Sequence, residues 1–181
     1  MRAAPSPIAS LFFCILAILF ATPAQALTLE ELRAMPDLTP RKFAALFSDF
    51  HFRFRAEVQD PRAFLASETG DCDDYATLAA LILKEKGYTP RLITVRMPNL
   101  VHVVCYIEET QSYLDYDNRS YFSRTISCGN DIDEIARKVA RANGRPWSSA
   151  SEFTFAEGMK RLVQTVTDGQ PRNRAFAGLL N

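Results

Sequence analysis

Apolar and polar residues change period several times along the chain, and each change predicts an element. Ile8 to Phe20 is a nearly continuous apolar run. Leu27 to Met35 reads as a short helix that stops before Pro36. Thr39-Pro40 has the form of an N-cap and first helical position, opening a helix with Phe43, Phe47 and Phe50 on one stripe. From Phe50 to Val58 the period falls to two. Phe52, Phe54 and Ala56 alternate with Arg53, Arg55 and Glu57, the signature of a half-buried strand, so helix and strand compete near residue 50. Asp60-Pro61 breaks that segment, and Pro61 to Ala66 fits a helical turn.

The clearest helix runs from Cys72 to Lys86. Tyr75, Leu78, Ala79, Leu81, Ile82 and Leu83 make it apolar on most sides, which predicts a central position. Lys84 and Lys86 suit its C-terminal end, and Gly87 suits the residue after it. Arg91–Met97, Leu100–Ile107 and Ser112–Asp117 read as strands, the first two joined by a turn at Pro98-Asn99. Asp131–Ala142 and Phe153–Val166 read as two closing helices within 131–166, split by Gly144-Arg145-Pro146.

The first apolar run changes the domain picture. Arg2, then Ile8–Phe20, then Ala24-Gln25-Ala26 form the charged start, apolar centre and small-x-small site of a secretory signal peptide over residues 1–26. The run falls short of the ~20 residues a spanning helix needs, so no membrane span is expected in the mature chain. Residues 27–181 then make a single domain, exported to the periplasm or beyond the cell. Lys plus Arg and Asp plus Glu are both 21, which points away from a nucleic-acid partner. Nothing in the pattern fixes an oligomeric state.

Three cysteines follow the leader: Cys72, Cys105 and Cys128. In an oxidising compartment an odd number leaves one thiol over. Cys72 fits that free thiol, with Cys105 and Cys128 either bridged or buried as two thiols. Cys72 opens the central helix behind Asp71, a plausible N-cap. A helix N-terminus lowers a thiol pKa, and the Cys72 N–H has no acceptor within the helix, so it can serve an oxyanion. Asp71, Asp73 and Asp74 work against a thiolate there. The site therefore calls for a compensating cation: His102 as imidazolium, an arginine, or a metal ion. Calcium takes oxygen ligands of the kind these acids offer. A hairpin centred between Glu109 and Thr110 sets His102 opposite Asp117, about 5 Å apart at Cβ, with Asp115 diagonal on the same face. Asp117 is then the expected partner of the imidazole and Asp115 the reserve. Cysteine, histidine and carboxylate in that order are the parts of a thiol nucleophile with an oriented base.

The block Gly70-Asp71-Cys72-Asp73-Asp74-Tyr75-Ala76, the helix end Lys86-Gly87-Tyr88, then His102-Val103-Val104 and Leu114-Asp115-Tyr116-Asp117-Asn118 together resemble the transglutaminase-like cysteine peptidase superfamily over about residues 60–120. The nearest likeness is to its bacterial exported proteinases. The resemblance implies an α+β fold of papain/transglutaminase type, a cysteine-bearing helix packed on an antiparallel sheet. It implies Cys72 as nucleophile, His102 as general base and Asp117 as orienting acid. It also implies Asp71 and Asp73 as calcium-associated acids, with no other cofactor required. The family often places a tryptophan upstream of the cysteine. Here Trp147 is the only tryptophan and lies downstream, which leaves Gln59 as an oxyanion candidate. The implied activity is hydrolysis of amide or peptide bonds in a protein or peptide substrate through a thioester. The alternatives are protein cross-linking by the same site, or a non-catalytic binding or structural envelope module on the same scaffold.

Overall fold

The computed structural model describes residues 26–118, 125–156 and 159–169. The expected leader, all but its last residue, lies outside the described residues. No helix among the described residues is long and apolar enough to cross a membrane.

Two short capped helices open the fold. α1 (Leu29–Ala34) starts in a reciprocal capping box between Thr28 and Glu31, and α2 (Pro40–Ala45) is capped by Thr39 with Pro40 in its first turn. Phe43, Phe47 and Phe50 are all buried, but the helix expected to carry them on one stripe ends at Ala45, and Phe47 and Phe50 follow in the turn beyond it. α3 (Pro61–Ser67) follows, capped by Asp60, and α4 (Cys72–Glu85) is the central helix.

The segment from Phe50 to Val58 departs from the half-buried strand its alternation predicts. Only His51–Phe52 (β1) forms a strand, pairing in parallel with Thr69–Gly70 (β2). Beyond it the backbone donors turn to the start of α4: the Arg55 N–H donates to Asp71 Oδ2 at 2.8 Å, and the Gln59 N–H to Asp74 Oδ1 at 2.6 Å. Carboxylate acceptors thus replace a strand ladder, and Phe52 and Phe54 are left 61% and 76% exposed.

The main sheet holds β3 (Pro90–Met97), β4 (Leu100–Ile107), β5 (Ser112–Leu114), β6 (Thr125–Ser127), β7 (Ser149–Ala156) and β8 (Met159–Thr167). Their spatial order is β6-β5-β4-β3-β7-β8, and every neighbouring pair is antiparallel. The second expected closing helix, Phe153–Val166, is replaced by the β7–β8 hairpin. The composition explains it: Gly158 weakens a helix interior, and Thr154, Phe155, Val163, Thr165, Val166 and Thr167 favour a strand. The first, α5 (Ile132–Ala142), forms as expected.

Two hydrophobic clusters flank the sheet. One joins α1–α4 to residues such as Leu92, Cys105, Ile107 and Leu114. The other joins α5 to Val95, Val104, Tyr106 and Tyr113. The central position expected for the Cys72 helix follows from this: Tyr75, Leu78, Ala79, Ile82 and Leu83 are all buried. Gly70, just ahead of the helix, has no room for a side chain. A Cβ there would stand 2.5 Å from Asp74 Oδ2 and 2.6 Å from the Phe64 ring. Gly70→Ala is expected to lower unfolding free energy by about 1–3 kcal/mol, the usual cost of overpacking. Urea denaturation checks it, and an unchanged midpoint would contradict the close approach.

Candidate active site

Asp71 and Asp74 define where the Cys72 thiol lies. They form a reciprocal capping box at the start of α4. The Asp73 N–H donates to Asp71 Oδ1 at 3.2 Å, and the Asp71 N–H to Asp74 Oδ2 at 3.1 Å. Asp74 also accepts from the Gln59 N–H and, at 2.7 Å, from its side-chain amide. The second hydrogen of that amide goes to the Thr69 carbonyl at 3.0 Å. Gln59 therefore does not serve as the expected oxyanion donor: its side chain braces the helix cap. Trp147 is buried in the cluster around α5. The Cys72 N–H, at the first helical position, is the donor that helix geometry leaves without an intrahelical acceptor.

The hairpin register is the expected one. Ile107 pairs with Ser112, Tyr106 with Tyr113, and Cys105 with Leu114. The ladder stops there, because Tyr116–Asn118 turns into a 3-10 helix. Asp117 consequently never reaches the place opposite His102. Asp115 takes the partnership instead: His102 Nε2 lies 2.9 Å from Asp115 Oδ1, whereas Nδ1 is 3.9 Å from Asp117 Oδ2, too far for a hydrogen bond. The Asp117 backbone N–H donates to Asp115 Oδ1 at 3.0 Å, so Asp117 helps hold Asp115 through its main chain.

Tyr116, between these acids, ties their turn to the rest of the site. Its ring centroid is 5.5 Å from that of Tyr75, one turn along α4 from the thiol, and its hydroxyl donates to the His51 carbonyl at 2.9 Å. Its role was hidden in the sequence, where it reads as one alternating strand residue.

His102 is 2% exposed. Burial, the strongest influence on it, favours the neutral ring. Hydrogen bonds to Asp115 and to the Cys72 sulfur outweigh that and push its pKa up to about 10. With Nε2 engaged by Asp115, Nδ1 is the nitrogen left for the thiol. Cys72, His102, Asp73 and Asp117 line one cavity of about 770 Å³, whose walls include Phe52, Phe54, Arg55, Leu100 and Val101. Cys105 and Cys128 are buried, unbridged and in separate clusters. Burial pushes the Cys105 thiol up, and burial with Glu134 pushes that of Cys128 up to about 11. Among the described residues, Cys72 is thus the thiol open to chemistry.

Asp71, Asp73 and Asp74 each bring a carboxylate oxygen within 4.8 Å of the others. Burial, then a hydrogen bond to Asp71 and the neighbouring negative charges, push Asp73 up to about 7. Its Oδ1 is buried without a hydrogen-bond partner. Lys160 of β8 is close enough to feel the Asp73 charge, and its ammonium stands 3.7 Å from the Phe153 ring centroid. No sequence pattern linked Lys160 to this site, because the segment reads as helical. An orphaned, proton-holding carboxylate among acids fits a hard cation with oxygen ligands.

The model of the transglutaminase-like domain family matches residues 34–132, more than half of the chain, and the protein belongs to that family. Among solved structures, calcium-bound LapG of Legionella pneumophila is similar at a TM-score of 0.45 and 18% identity, over 74% of this chain and 72% of that one. No curated protein matches the chain.

The His102–Asp115 contact has a pH signature. A folded-state pKa above the ordinary histidine value stabilises the fold fully below about pH 6.5, and that contribution is lost as pH rises through about 10. By NMR titration the His102 ring is expected to stay protonated at pH 8. Asp115→Asn should bring its titration well down, and Asp117→Asn should shift it much less. The reverse order would contradict the assignment of Asp115.

Proposed function

We propose that the protein is an exported cysteine hydrolase that cleaves amide bonds in proteins or peptides. The observation that carries this reading is the placement of His102, bonded through Nε2 to buried Asp115 and lining one cavity with Cys72, which opens the central helix. A ring with a pKa near 10 holds a proton at neutral pH, which it can pass to a leaving amine.

In this mechanism the Cys72 thiolate attacks the amide carbonyl, and the Cys72 N–H donates to the oxyanion. His102 passes its Nδ1 proton to the departing amine, which leaves a thioester on Cys72. Neutral His102 then takes a proton from water, which attacks the thioester, releases the acid and restores the thiol pair. Asp115 holds the Nε2–H and stabilises the imidazolium, as the orienting acid of such a triad does. The cavity wall of Phe52, Phe54 and Val101, all well exposed, suits the apolar side chains of an extended peptide.

Export through residues 1–26 to the periplasm, and a domain over residues 27–181, belong to the same proposal. So does calcium: Asp73 with Asp71 would hold it, and its charge would offset the acids beside the thiolate.

The test is hydrolysis of an unfolded protein substrate by the purified mature chain, with and without a calcium chelator. Cys72→Ala should abolish cleavage, and Asp115→Asn should lower kcat by about 10²–10⁴-fold, the range that acid–base assistance supplies. Calcium removal should lower the rate as well. Cleavage that survives Cys72→Ala would sink the proposal.

A further inference from the structure

We propose that Arg55 sets the specificity of the cavity by binding a carboxylate of the peptide. The proposal rests on the hydrolase reading for its site and adds the class of peptide that enters it.

Three observations point to it. The first is an unmet donor. Arg55 is half-buried in the cavity wall, and its Nε is buried without a hydrogen-bond partner. Buried donors in folded proteins are nearly always paired, so one left open on a cavity wall calls for a ligand. Most other arginines differ. Arg33, Arg62, Arg91 and Arg137 each pair with a carboxylate, and Arg41, Arg53, Arg96 and Arg141 stand exposed in solvent. Among the described arginines, Arg55 alone is held half out of water with no ion pair.

The second is fixed placement. The Arg55 N–H donates to Asp71 Oδ2 at 2.8 Å, and Asp71 directly precedes Cys72. The side chain therefore starts from a backbone pinned to the helix end that carries the thiol, which lowers the ordering cost of binding. The third is the charge of the rest of the wall. Asp71, Asp73 and Asp117 also line the cavity, and besides His102 only Arg55 brings a cation to it. A substrate carboxylate elsewhere in the cavity meets like charge, so Arg55 fixes where it sits.

The guanidinium suits this ligand. Its planar fork of N–H donors matches a carboxylate with two bonds at once. An acidic side chain near the scissile bond supplies that group, and so does a free C-terminus. Phe52 and Phe54, exposed on the same segment, take apolar residues beside it. No bond forms or breaks at Arg55, which acts in binding.

The test is binding and cleavage of peptide pools by the mature, calcium-loaded chain. Three pools are capped at both ends, share one randomised mixture, and differ at a central position that is glutamate, glutamine or lysine. A fourth has the glutamine and a free C-terminal carboxylate. Binding is read by fluorescence anisotropy on Cys72→Ala protein, so it does not depend on turnover. The glutamate pool or the free-carboxylate pool is expected to bind at least about tenfold more tightly than the capped glutamine pool, as hydrogen bonds to a charged group allow. Which of the two does so identifies the source of the carboxylate. Arg55→Ala in the same background should remove the preference, and Arg55→Glu should transfer it to the lysine pool. In the active chain, Arg55→Ala should raise KM for the preferred pool far more than it lowers kcat. The bond to Asp71 is made by the main chain, so these variants keep it, and circular dichroism confirms that each is folded. Equal binding of all four pools, or a carboxylate preference that survives Arg55→Ala, would overturn the proposal. Absent cleavage with the preference intact would uphold it and sink the hydrolase reading alone.

Discussion

Two buried carboxylates at the start of one helix organise this protein. Asp71 and Asp74 are each 3% exposed, a costly position for a charge without partners. Each unpaired buried N–H around them would cost about 1–3 kcal/mol as well. The two costs offset each other. Asp74 accepts from Gln59 twice and from the Asp71 N–H, while Asp71 accepts from Arg55 and Asp73. The loop from Arg53 to Gln59 is bound to the helix end in this way, and its Phe54 and Arg55 become a wall of the cavity. Gly70 is a consequence of the same packing, because any side chain there would strike Asp74.

The second constraint is the end of β5. A longer hairpin would have carried Asp117 to His102. Tyr116 instead packs against Tyr75 and bonds the His51 carbonyl, which draws the chain toward the helix and into a 3-10 turn. Asp115 is left at the strand end against Nε2, and Asp117 moves to the cavity side of the ring. Two carboxylates therefore serve one histidine from different nitrogens. The buried one fixes and charges the imidazole, and the half-exposed one stays adaptable. This division places an imidazolium where a cation is needed beside three acids.

Much of the architecture was legible because its signals were local. The cap at Asp71, the apolar helix to Glu85, the turn at Asn99 and the antiparallel register around Tyr106–Tyr113 all follow from residue type and spacing. What was not legible depended on distant partners. Phe50 to Val58 alternates like a strand, but its donors are claimed by carboxylates far along the chain. Asp117 matches His102 by parity alone, yet parity holds only while the ladder lasts. Gln59 has the right chemistry for an oxyanion donor, and Asp74 uses it up. Phe153 to Val166 carries apolar residues at intervals that serve helix or strand, and its strand-favouring residues prevail once β7 pairs with β3 and β8.

The central claim is that Cys72 is the reactive thiol and that His102, held by Asp115, activates it. Its most direct test is the rate of Cys72 alkylation by limiting iodoacetamide at neutral pH, with the labelled residue mapped by mass spectrometry. The account predicts that Cys72 is labelled far faster than Cys105 and Cys128, and that its rate falls sharply in His102→Ala. Labelling of Cys72 that is no faster than that of the two buried thiols, or that is indifferent to His102, would contradict it.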